Sequence, residues 1–390
     1  MEKQKKAGNR MIAVKGGVVG PAPARPKSVK VKQVGDYPGV PPVYLEVCES
    51  YSKGFEGPPL CDELVALIQH MFTEDEASVI RHLGPLSMLT ADRVAQAADR
   101  PVEEVRRILD RLADEMHIIA SLGPAGAKSY MGLPILPGAF EMVLVRQSMD
   151  TLTDWHRRFA ELFEVLYETG FMVDSVGDMP PAVRYLPVGG VIDAHPMALP
   201  SDLLEEVIGQ YKSFAVGLCQ CRMTEQIVGR GCDRPMDNCT AMGAMADMAV
   251  RSGQMRKVEK KELLEIKREA EATGLVNWAM NQSMMPGSSA ICSCCGCCCH
   301  ALRMISEFNM PGSIAPPHFM PEVDVDNCDY CAKCARACPM GAITIDMKGK
   351  TREFEFVRCV GCGQCMVACD KKKAVRLEPV EGYQAPKILG

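Results

Sequence analysis

The residues best able to do chemistry stand near the C-terminus. Cys328, Cys331, Cys334 and Cys338 are spaced C-x2-C-x2-C-x3-C, and thirty-one residues later Cys359, Cys362, Cys365 and Cys369 repeat the spacing. A [4Fe-4S] cube needs four thiolates pointing inward from different directions. Three cysteines at x2 intervals can wrap a tight loop round one cube, and the fourth thiolate must come from elsewhere. Zinc sites usually pair C-x2-C units across a longer gap, so three cysteines in seven residues favour iron and sulfide over two zinc ribbons. The doubling reads as an internal repeat of one supersecondary unit. Its flanks agree: residues 323–325 and 354–356 are expected as strands entering each loop, and residues 342–345 and 374–377 as strands leaving it.

This double run closely resembles the bacterial-type ferredoxin that holds two [4Fe-4S] clusters. The resemblance covers residues 321–390 and implies a ferredoxin-like dicluster domain there, in which the fourth cysteine of each run ligates the other cluster. Carried over residue by residue, it implies one cluster on Cys328, Cys331, Cys334 and Cys369 and another on Cys359, Cys362, Cys365 and Cys338. The first run is followed by Pro339 and the second by Asp370. Proline there fixes the chain direction and is not a ligand, so the implied ligand set is unaffected.

A second concentration of cysteine lies upstream. Cys219-Gln220-Cys221-Arg222 follows a strand-like stretch, Cys232 and Cys239 sit among turn residues, and Cys292, Cys294, Cys295, Cys297, Cys298 and Cys299 put six thiols into eight residues. Residues two apart on an extended strand share a side, so Cys219 and Cys221 are expected to reach one centre. Turns can bring Cys232 and Cys239 to the same point. One cube has four irons, so the six later thiols cannot all serve one cluster. All ten are candidate ligands for one or two additional [4Fe-4S] clusters; a structural zinc site and a redox-active dithiol are the alternatives. The pairing of C-x-C-R with C-x-C-C-G-C-C-C upstream of a dicluster run is similar to a family of anaerobe iron–sulfur proteins. The Cys294-Cys295-Gly296 step is also similar to heterodisulfide-reductase-type cysteine-rich domains, but their second repeat is lacking, so neither their cluster nor their activity is carried over. Cys48 and Cys61 stand alone and are expected as buried structural thiols.

The elements that must position these residues divide the chain of 390 residues into four expected parts of α+β class. Residues 1–60 are punctuated by Pro and Gly, and the first 32 carry nine Lys/Arg against one acid, Glu2. They are expected as an extended arm, either solvated or ordered on a partner. Residues 61–148 show short helices at 62–71, 74–83, 90–98 and 102–115 and then a hairpin, a pattern that resembles a winged-helix domain. Residues 149–320 form an expected cysteine-rich α+β domain, with an amphipathic helix over 150–169 and another over 201–211.

Composition narrows the function. Eighteen of the 20 cysteines follow residue 218, clumped at ligand spacing in a chain without a secretory signal pattern, which points to metal ligation in a reducing cytoplasm. No apolar run approaches the length of a membrane span. The formal charge is −5, and the candidate recognition helix over 102–115 has five acids against three arginines, which argues against nucleic acid as a partner. The expected function is an electron-transfer iron–sulfur protein, acting as a subunit or partner of a cytoplasmic oxidoreductase and facing redox protein partners. A redox-sensing winged-helix regulator and an oxidoreductase with its active site at the middle cysteines are the other classes.

Overall fold

The computed structural model describes residues 9–54, 57–124, 126–174, 181–281, 287–310 and 314–385. It divides into two units, Pro26–Val176 and a second made of Met1–Arg25 with Gly177–Gly390. Helices alternate with strands along much of the chain, and the pairs of named strands are all antiparallel, an α+β arrangement.

The described chain opens with a β-hairpin where an extended arm is expected. Strands β1 (Ile12–Lys15) and β2 (Val18–Pro21) pair in register across Gly16-Gly17. Both glycines have positive φ, 64° and 101°, which a two-residue hairpin loop requires. Val19 on β2 is fully buried.

In the unit Pro26–Val176, helices Pro42–Ser52, Asp62–Met71 and Glu74–Ile80 come first. Thr73 and Glu76 start the third with a reciprocal capping box, the Glu76 amide donating to Thr73 Oγ1 and the Thr73 amide to Glu76 Oε2. Strand β3 (Met88–Thr90), helices Ala91–Ala98 and Val102–Asp110, and strands β4 (Ile119–Leu122) and β5 (Ser129–Gly132) follow, with sheet order β3-β5-β4. The 102–110 helix buries Val105 and Leu109 and widens into a looser turn at Arg111–Glu115. The helix Asp154–Glu168 also belongs to this unit, not to the cysteine-rich region where the sequence pattern had it. The reason is its aromatic face: Phe163 stacks on Phe140, and Trp155 stacks on His70 with ring centroids 4.9 Å apart.

The other unit is built on a six-stranded antiparallel sheet of order β6-β10-β11-β8-β7-β9. Its strands are β6 (Val183–Tyr185), β7 (Phe214–Leu218), β8 (Asp237–Gly243), β9 (Arg256–Val258), β10 (Val276–Met280) and β11 (Ser288–Cys294). Helix Gln220–Ile227 leaves β7 and helix Lys260–Ala272 links β9 to β10. A stop at Gly209 shortens the expected 201–211 helix to Leu204–Gly209, and the chain enters it through Leu203. At the C-terminal end β12 (Phe319–Val323) pairs with β15 (Val375–Pro379), and β13 (Ile343–Asp346) with β14 (Thr351–Phe354).

These C-terminal strands do not stand alone. Strand β2 adds to β13, Val19 opposite Ile345, giving a four-stranded sheet of order β1-β2-β13-β14. Residue Arg10 anchors the arm further: with Arg230 and Arg303 it surrounds the fully buried Glu225 carboxylate, at 2.6 Å from Arg10 and Arg303 and 3.2 Å from Arg230. One core joins Val19, Tyr185, Val276, Leu302 and Ile305 to Ile343, Ile345 and Val375.

Candidate metal centres

Each C-terminal cysteine run is bent by two left-handed residues. These are Tyr330 and Ala332 in the first loop (φ 56° and 60°) and Gly361 and Gly363 in the second (φ 69° and 77°). In the second loop glycine is also demanded by space, since a Cβ on Gly361 would stand 2.5 Å from Pro317 Cβ. Each loop then enters a five-residue helix, Lys333–Ala337 or Gln364–Ala368, that carries the third cysteine of its run, and the fourth lies at the helix exit.

That bend separates the fourth cysteine from its own run. Two cavities result, each of about 350 Å³ including its open mouth. One is lined by Cys328, Cys331, Cys334 and Cys369, the other by Cys359, Cys362, Cys365 and Cys338. The donor chemistry fits a cubane in each: four thiols round one hollow, with apolar walls from Ile345 and Val375 in the first and Ile343 and Leu377 in the second. Backbone amides face the sulfurs, Ala342 N–H donating to Cys338 Sγ at 3.3 Å and Gly361 N–H to Cys359 Sγ at 3.4 Å. The hollows differ in depth. Cys331 is exposed and Cys328 and Cys369 half-buried, whereas Cys362, Cys365 and Cys338 are buried. Burial pushes the Cys359 thiol up to about 12 and raises Cys362 and Cys365 as well.

The ten middle thiols separate into two sets. Cys232, Cys295, Cys297 and Cys298, all buried, have their Sγ atoms within 4.8 Å of one another. Cys219, Cys221, Cys239, Cys292, Cys294 and Cys299 make a more open arrangement along the ends of β7, β8 and β11: Cys239 and Cys292 are 3.8 Å apart, and Cys221 and Cys294 both adjoin Cys299. Cys219 and Cys221 do meet, although not as an extended pair. Cys219 caps helix Gln220–Ile227 and Cys221 lies within it, because β7 ends at Leu218 and the chain turns helical at once.

Two cations sit among these thiols. Arg222 is fully buried beside Cys219, Cys294 and Cys295, and its guanidinium donates to the carbonyls of Pro235 and Ser293. Lys267 is fully buried too, its Nζ donating to the Asn238 and Ile291 carbonyls at 2.8 and 2.7 Å. Burial lowers its ammonium to about 8 against the opposing pull of Cys292 and Cys239. Charge compensation of this kind lets thiolates stay buried. Lys267 stands in the charged helix Lys260–Ala272, where nothing in the spacing marks it; Arg222, next to Cys221, is marked by the Cys-x-Cys-Arg step. The glycine of the Cys-Cys-Gly step also has a role that spacing does not reveal. A Cβ on Gly296 would lie 1.7 Å from the Pro339 carbonyl oxygen, so this loop touches backbone directly after Cys338.

Comparison with known proteins bears on the C-terminal region. Residues 327–381 match the family model described as a 4Fe-4S dicluster domain. The pyruvate synthase subunit PorD of Methanothermobacter marburgensis is 37% identical over 60 residues, 15% of this chain and 67% of that protein. The DNA-directed RNA polymerase subunit Rpo3 of Methanosarcina acetivorans is 38% identical over 52 residues, and that of Methanosarcina mazei 35%. The chain spans about a fifth of the length of those two polymerase subunits. No solved structure matches. Through residues 327–381, where the matching thiols line two hollows, the chain belongs to the 4Fe-4S dicluster family.

Proposed function

We propose that the protein carries single electrons between redox partners, as a subunit or partner of a cytoplasmic oxidoreductase. The observation that supports this best is the pair of four-thiol hollows, one opening to the surface and one deep beside the middle cysteines. Clusters of the [4Fe-4S] type supply one-electron chemistry at potentials set by burial and by hydrogen bonds to sulfur. The chain's own residues do the rest. The crossed sets, Cys328, Cys331, Cys334 and Cys369 against Cys359, Cys362, Cys365 and Cys338, fix two centres side by side. Ala342 and Gly361 amides stabilise thiolate charge, and the apolar walls exclude water.

The exposed edge at Cys331, with Lys333, Lys371, Lys372 and Lys373 around it, suits docking of an acidic redox partner. Lys333 is already paired with Asp370 at 3.1 Å, which leaves the three following lysines as the docking charges. In the six-thiol set Cys239 and Cys292, 3.8 Å apart, cannot both stand at corners of one cube, and one of them with Cys219, Cys221, Cys294 and Cys299 still leaves enough thiols for a further iron–sulfur centre on the inner side. Similarity to a pyruvate synthase subunit supports placing the chain in an oxidoreductase assembly.

In the unit Pro26–Val176 the order of helices, strand and hairpin supports the winged-helix reading, and we assign it to protein docking. Three basic side chains on or beside the 102–115 segment are paired with acids: Arg106 with Glu103, Arg111 with Glu76, and Lys128 with both Asp110 and Asp114. They cannot also neutralise phosphates without giving up those pairs.

Anaerobic iron and sulfide determination with EPR of the reduced full-length chain tests the relay. About twelve irons with signals of interacting [4Fe-4S] clusters is expected, from three four-iron centres. Fewer than about eight irons sinks the dicluster relay, and eight with no more removes the six-thiol centre.

A further inference from the structure

Among the middle thiols, Cys232, Cys295, Cys297 and Cys298 stand too close together for a cube. The Sγ–Sγ separations are 3.8 Å for Cys232–Cys295, 3.7 Å for Cys232–Cys298 and 3.7 Å for Cys297–Cys298. All six separations are within 4.8 Å. Round a cubane each thiolate lies one bond beyond a corner of the cube, so the four are held well apart. Round a single ion they are not: with metal–sulfur bonds of about 2.3 Å, a regular tetrahedron has sulfur–sulfur edges of about 3.8 Å. Three of the six observed separations match that edge, and the other three stay within about 1 Å of it. The spacing is also nearly double a disulfide bond, so the group is not two oxidised pairs.

We infer that Cys232, Cys295, Cys297 and Cys298 form a mononuclear tetrahedral site for zinc, distinct from the iron–sulfur centres. Three observations converge on it. All four ligands are buried, which describes a closed, structural zinc site with no position left for substrate. Zinc with four thiolates carries two net negative charges, and two guanidinium groups face them: Arg234 Nη1 lies 4.0 Å from Cys297 Sγ, and Arg222 adjoins Cys295. The ligands come from two stretches without helix or strand, 230–236 and 295–299, which need a tie. A redox-inert ion there ties these two stretches to each other without joining the relay.

The inference goes beyond the relay reading and can fail independently of it. The full-length chain, purified anaerobically from cells grown with both metals, is analysed for zinc and iron and by zinc K-edge X-ray absorption. One zinc per chain in a shell of four sulfurs at about 2.3 Å is the expected result. Cys297→Ser is expected to lose that zinc while its iron content and reduced EPR spectrum stay those of the parent. Zinc absent from the parent, zinc in a nitrogen or oxygen shell, a single thiolate-bound iron in its place, or a loss of about four irons in Cys297→Ser each overturns it. If the variant does not fold, the absorption spectrum of the parent decides alone.

Discussion

At the scale of single residues, the crossed arrangement makes a prediction that simple loss of metal does not. Cys338 lies in the run of Cys331 but lines the hollow of Cys362. Cys338→Ser and Cys362→Ser are each expected to cost about four irons, and the double variant no more than either. Cys338→Ser combined with Cys331→Ser is expected to cost about eight; iron analysis of the four proteins distinguishes this from ligation run by run. Two thiols outside the metal centres give a pH dependence. Cys48 and Cys61 are fully buried, and burial pushes each up to about 12 from the ordinary 9.0. A raised thiol pKa means the folded state holds the proton longer. The stability it contributes is therefore complete below about pH 9 and is lost as pH rises from there toward 12, by at most about 1.4 kcal/mol per pH unit for each thiol. Denaturant midpoints between pH 8 and 10.5 are expected to fall, less steeply in Cys48→Ala/Cys61→Ala; an equal slope in that variant assigns the effect elsewhere.

At the scale of elements, the sequence shows most clearly what repeats locally. The dicluster loops could be read because their ligands lie within eleven residues and their left-handed positions recur at the same places in both runs. Strand β7 could be read as a short apolar run before Cys219. What could not be read is whatever depends on distant partners. The N-terminal hairpin carries a local signal, Met11–Val14 and Val18-Val19 either side of Gly16-Gly17, that the basic, Pro/Gly-punctuated character of residues 1–60 outweighs. The burial of Val19 is not legible locally, because β13, more than 300 residues later, offers it an edge. The helix Asp154–Glu168 has a plain amphipathic pattern, but its pattern does not say which unit supplies the facing surface. The division of ten thiols into four and six was equally invisible, since adjacent cysteines such as Cys298 and Cys299 go to different sets. Two changes test these elements. Val19→Ala removes side-chain volume from a filled site and is expected to cost about 1–3 kcal/mol in thermal or denaturant unfolding. Gly296→Ala places a methyl group against the Pro339 carbonyl, and is expected to lower both thermal stability and the iron retained on Cys338, Cys359, Cys362 and Cys365. Parent-like values in both measurements would remove the contact from the argument.

At the scale of the whole molecule, the dicluster region is continuous with its surroundings and differs in this from a small ferredoxin domain attached by a linker. The Arg358 guanidinium donates to the Met340 and Ser306 carbonyls at 3.0 and 3.1 Å, and Gln364 Nε2 to the Leu275 carbonyl at 3.0 Å. The Val188 amide donates to the Cys362 carbonyl at 3.0 Å, and Val19 and Ile305 share a core with Ile343. A fragment beginning near residue 320 keeps all eight dicluster cysteines and loses every one of the partners at Val19, Val188, Leu275 and Ser306. It also bares the edge of β13, leaving backbone groups unpaired that β2 satisfies in the full chain. Small domains have little burial to spare. The fragment is therefore expected to hold clearly fewer than about eight irons after anaerobic reconstitution, with the deep hollow emptying before the exposed one, while the full-length chain keeps its complement through the same treatment. A fragment that holds eight irons with parent-like EPR would mean that the dicluster region folds and holds its clusters without the surrounding sheet. A fragment that loses the deep cluster first would mean that the inner hollow is built jointly by residues from the start, middle and end of the chain.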